Sequence, residues 1–205
     1  MRFFKDNSYD IVKMYLTQIA ISVFALIMYT SAGFIKSNTS LSATFQIIIS
    51  VFSTLFYFVL LYTAAWDWGA NDKIRADGGR CTLDKARVLK MITIASIPNF
   101  LFAIVAIIGL GLSVTGLENF LTKLGGVFFA ILQYTALMFQ GIIVNVFSFL
   151  ESTEAGASNM SFYFAEACGY AAMIIVTIAV THFAYALGSK DRKLFAFIKS
   201  NKKYE

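Results

Sequence analysis

Charged residues make up only 14% of this 205-residue chain, and that scarcity excludes an ordinary water-soluble domain. With 58% hydrophobic residues and a mean hydropathy of +0.69, too little polar surface remains to cover a globule in water. Residues that carry chemistry are equally rare. One histidine and two cysteines, with no pair at ligand spacing, exclude a metal site built on them. No nucleotide-binding loop, nucleophile elbow or zinc-protease pattern occurs, so no catalytic residue and no cofactor is expected. Cys81 and Cys168 fall at opposite faces of the expected topology. A disulfide between them would have to cross the bilayer, and two free thiols are expected instead.

What the chain has is length in apolar runs. Five of them, at 14–35, 41–66, 91–112, 124–150 and 167–187, approach or exceed the roughly 20 residues that span a hydrocarbon core. A segment in lipid must satisfy its own backbone, and the alternation of membrane strands is absent, so every run is read as helix. The expected fold is all-α, a polytopic integral membrane helical bundle forming one transmembrane domain over 1–205. The first run is long and four more follow it. It is therefore read as a retained helix, capped by Asn7 or Ser8, rather than a cleaved signal.

The basic residues set the expected topology. They gather at the N-terminus (Arg2, Lys5, Lys13), in the loop 67–90 (Lys73, Arg75, Arg80, Lys85, Arg87, Lys90) and in the tail 188–205 (Lys190, Arg192, Lys193, Lys199, Lys202, Lys203). If all five runs crossed, loop and tail would face opposite sides and the bias would vanish. If one did not, all three clusters would share the cytoplasmic side, leaving only Lys36 and Lys123 opposite. The rule thus favours four full crossings of a cell membrane plus one re-entrant or broken segment, with both termini cytoplasmic. Run 124–150 is the odd one, too short for two passes and rich in breakers and amides: Gly125, Gly126, Gly141, Gln133, Gln140 and Asn145. An internal echo agrees. Trp66-Asp67-Trp68-Gly69 and Tyr185-Ala186-Leu187-Gly188 close two runs alike, with Gly69 and Gly188 expected in the left-handed conformation past the last turn.

Candidate functional residues are few. Asn99, Gln133, Gln140 and His182 lie within apolar runs and could line a polar pathway, His182 as a proton relay. Each also fits helix-to-helix hydrogen bonding, worth about 0.6 kcal/mol on average. Asp67, between two tryptophans, is a possible interfacial site for a cation or ammonium, or a partner for loop cations. Pro98 removes one helix hydrogen bond and marks a kink or gate.

Ser8-Tyr9-Asp10-Ile11-Val12-Lys13-Met14-Tyr15-Leu16, the stretch Tyr62 to Lys73, Ile97-Pro98-Asn99 and Val180 to Gly188 resemble segments of small multipass membrane proteins of Gram-positive, Clostridia-like bacteria. The resemblance spans most of the chain and implies a bacterial plasma membrane, but contributes no functional residue. The net charge of +5 is juxtamembrane and points to a bilayer with an anionic inner leaflet, not to nucleic acid. Two functions fit: a non-enzymatic subunit or scaffold packed against other membrane proteins or its own copies, or a small transporter or channel component with a polar pathway at a broken helix in 124–150.

Overall fold

The computed structural model describes residues 2–33, 39–80, 82–84, 86–117, 119–151 and 159–190. Lys36, Cys81, Lys85 and the expected basic tail beyond 190 lie outside them. The described residues form six α-helices and no strand: α1 (Arg2–Gly33), α2 (Thr39–Asp77), α3 (Arg87–Val114), α4 (Phe120–Thr135), α5 (Gln140–Phe147) and α6 (Met160–Gly188). Within them Asn7–Thr30, Thr44–Asp77, Arg87–Val114 and Met160–Gly188 are long and apolar enough to cross a membrane. Helix α4 and the limb Leu137–Phe147, a 3-10 turn at Leu137–Phe139 leading into α5, make a pair bent by 80° at Ala136. The chain is a membrane-embedded, multipass helical bundle.

Contacts between helices fix its register. Arg87 at the start of α3 bonds Asn7 in α1 and Asp72 near the end of α2, and Asp72 also accepts from Tyr185 near the end of α6. These four helix ends therefore meet at one end of the bundle, called here the basic end. Helices α3 and α6, with 28 and 29 residues, each run roughly 42 Å from there. Their far ends meet again, where Gly111 sits against the ring of Phe164. The α4–α5 pair joins those two far ends, so it enters and leaves on the same side. It is the expected re-entrant or broken element.

Several local expectations need correction. Asn7 is no cap, because α1 already begins at Arg2; its amide donates to the Phe3 carbonyl at 2.9 Å and its oxygen accepts from Arg87. Nor does α2 stop at Trp66. It continues to Asp77, because Asp72 on its inner face is anchored by Arg87 and Tyr185, which shortens the expected loop. The left-handed glycines are Gly79 and Gly116, which terminate α2 and α3 with paired bonds back to the last turns, such as Arg80 N–H to Arg75 O at 3.0 Å and Leu117 N–H to Leu112 O at 3.1 Å. Pro98, the expected kink, lies inside α3, which continues on both sides of it.

Gly69 and Gly188 have a different use. They bring the backbones of α2 and α6 into direct contact: a Cβ on Gly188 would strike the Trp66 carbonyl group, and one on Gly69 would lie 2.8 Å from Ser189 N and closer still to the Tyr185 oxygen. With the fully buried Ala65 and Ala184 one turn before them, each helix presents small residues four apart. Lipid offers no hydrophobic drive between helices, so such close approach is what binds them. Gly188→Ala should therefore cost about 1–3 kcal/mol, as overpacking does. Gly126→Ala, where a Cβ meets nothing within 4 Å, should be neutral or slightly stabilising. Unfolding midpoints of the two variants in detergent check this.

Candidate functional site

Two polar constellations stand out against the apolar bundle, one at the basic end and one beside the re-entrant turn. At the basic end Arg87 is the hub. Its Nη1 lies 2.7 Å from Asp72 Oδ1, its Nε donates to Asn7 Oδ1 at 3.0 Å, and its Nη2 approaches Asp10 at 3.9 Å. The Tyr185 hydroxyl sits between Asp72 Oδ2 (3.0 Å) and the Asp84 carbonyl (2.9 Å). One guanidinium and one phenol thus tie α1, α2, α3, α6 and the 82–84 segment together. Asp84 is more exposed, and the Ala86 N–H at 2.9 Å and Lys90 at 3.1 Å hold its carboxyl below the usual carboxylate range.

The second constellation surrounds the break. A helix broken inside lipid leaves backbone groups that must find protein partners. Ser22 of α1 donates to the Thr135 carbonyl at 2.7 Å, and Ser50 and Thr54 of α2 both donate to the Met138 carbonyl, at 2.6 and 3.1 Å. On the other limb the Gly141 N–H donates to Tyr29 and the Ile142 N–H to Ser50. Gly141 itself lets α5 lie on the α2 backbone at Gln46. A recess of about 430 Å³ opens here, faced by Tyr29, Gln46, Gln140 and Gly141.

Beside the break lies a carboxyl that the sequence did not advertise. Glu166, 1% exposed, accepts from Gln133 Nε2 at 3.0 Å, and the Tyr170 hydroxyl approaches the same oxygen at 3.5 Å. Among the described residues no cation lies within ion-pair distance of it.

The chain matches no protein-family model, and no curated protein or solved structure is similar to it. Function must be read from these residues alone.

The structure distributes the four pathway candidates. Gln133 bonds Glu166, and Gln140 borders the recess one short turn away. Asn99 is 1% exposed in α3 with both amide atoms lacking a partner among the described residues, and the Nδ1 of His182 is likewise buried without one. Neither is among the residues bordering the recess. Asp67 is exposed and forms no ion pair among the described residues, but faces a groove with Lys13. Cys168 is a free thiol, half-buried in α6.

Two outcomes follow from the basic-end geometry. Removing Arg87 strands Asp72, so Arg87→Ala should lose about 2–3 kcal/mol, discounted from a fully buried pair because a quarter of the Arg87 side chain is exposed, whereas Lys90→Ala should lose about 0.5 kcal/mol or less. Chemical unfolding in detergent compares them. A depressed carboxylate adds stability above its unfolded-state value and loses it as pH falls through the lower folded one. The stability gap between the wild type and Asp84→Asn should thus be full at neutral pH and close in acid, as unfolding midpoints across pH would record.

Proposed function

We propose that this chain is a small cation-handling transport or channel component whose working group is Glu166, set beside the re-entrant α4–α5 turn. The observation that carries this reading is a carboxyl within a helix long and apolar enough to cross a membrane, 1% exposed and held by an amide and a phenol, with no cation beside it among the described residues. An uncompensated charge there costs several kcal/mol, and a proton or a monovalent metal cation removes that cost. Ionisable groups at such depth mark ion and proton pathways. Broken helices that bring polar groups together inside the membrane are a recurring architecture of transporters. A recess at Tyr29, Gln46 and Gln140 borders the same bent element that carries Gln133 and offers an approach to the break.

The expectation of a subunit or scaffold keeps support from one observation. The Thr135 and Met138 carbonyls and the Gly141 and Ile142 amides at the break are each capped by a side-chain hydroxyl, the arrangement of a rigid plug. A single experiment separates the two readings. Purified protein is reconstituted into liposomes holding pH-sensitive and sodium-sensitive dyes, and a membrane potential is imposed. Cation entry above protein-free liposomes, lost in Glu166→Gln, supports transport. Entry no faster than in protein-free liposomes, with Glu166→Gln changing only the unfolding midpoint, would leave the scaffold.

A further inference from the structure

Between α1 and α2, near the basic end, a groove of about 310 Å³ has an apolar floor of Met14, Leu60 and Leu61 and a polar rim of Lys13, Asp67 and Trp68. The hydroxyls of Thr17 and Thr63, which also border it, are spent within their own helices, on the carbonyls of Lys13 and of Val59 and Leu60. Among the described residues, then, the uncommitted polar groups of the groove are one cation, one carboxylate and one indole N–H. Lys13 and Asp67 face the same space yet form no ion pair with each other or with any other described residue. Two opposite charges across a gap call for a ligand that carries both signs.

We infer that this groove binds a zwitterionic aminophospholipid, its phosphate on Lys13 and its primary ammonium on Asp67 under the Trp68 ring. Lipid is the occupant the surroundings select, because Val12, Leu16 and Val59 beside the groove are more than half exposed on the apolar flank of the bundle. A soluble zwitterion would gain nothing from the Met14 and Leu60 floor, whereas an acyl chain lies along it. The headgroup depth is right as well. Asp67 lies five residues, about 7.5 Å, up α2 from Asp72 in the basic-end network, where tryptophan favours the interface. Ethanolamine is preferred over choline: its N–H groups can donate to the carboxylate, while a quaternary ammonium needs a cage of several aromatics and Trp68 is the single ring at the rim.

The full chain, purified in detergent, is exposed to equal amounts of phosphatidylethanolamine, phosphatidylcholine and phosphatidylglycerol, and retained lipid is read by native mass spectrometry. Phosphatidylethanolamine should dominate. Lys13→Gln and Asp67→Asn should each reduce its retention about tenfold, the scale of one charge-assisted bond, and Asp67→Asn should turn the preference toward phosphatidylglycerol, since only the cation remains. Both positions are exposed, so unfolding midpoints should stay at the wild-type value. Equal retention of phosphatidylethanolamine by the wild type and Asp67→Asn, or a wild-type preference for phosphatidylglycerol, overturns the assignment.

Discussion

The absence of water at membrane depth governs this molecule. A continuous helix satisfies its own backbone, but an element that turns back inside the bundle cannot, and each orphaned carbonyl or amide would cost several kcal/mol. The turn between α4 and α5 exists because Ser22, Ser50, Thr54 and Tyr29, on two other helices, reach into it. Those hydroxyls determine where α1 and α2 stand relative to the turn, and the turn in turn places Gln133 against Glu166. The candidate site is a by-product of solving a hydrogen-bonding problem.

The helical, membrane-embedded character was legible because composition and run length answer to the solvent, not to tertiary detail. The odd nature of run 124–150 was legible too, through charge bias and its length. The position of the break was not. Gly125, Gly126 and Gly141 suggested it, yet the chain bends at Ala136, where no glycine stands. The partners that stabilise the turn lie 84 to 113 residues away in sequence, beyond the reach of local pattern. Gly125 serves instead to let α4 touch α3, with its Cβ position 2.6 Å from the Cα of Gly109.

The most informative charged groups were hidden by segment boundaries. Glu166 stood just outside the run beginning at 167, and reads as a loop acid until α6 is seen to start at Met160. Its one sequence signal was spacing: Phe162, Glu166 and Tyr170 fall four apart, on the buried face of a single helix. Asp72 and Arg87 looked like members of a solvated basic loop. Only the continuation of α2 to Asp77 shows that they belong to the packed end of the bundle. Asn99 is buried and His182 has a buried Nδ1, and both were chosen because they are polar in apolar runs, but nothing in the hydrogen-bond pattern links them to the turn.

The backbone contact of Gly69 with Gly188 has a mechanical meaning. Helices touching main chain to main chain have no side-chain layer to shear, so α2 and α6 behave as one stiff mast. That mast carries Glu166 near one tip and Tyr185 at its foot. The foot and the polar tip of α6 are thus held by different partners, α2 at Gly188 and α4 through Gln133 at Glu166.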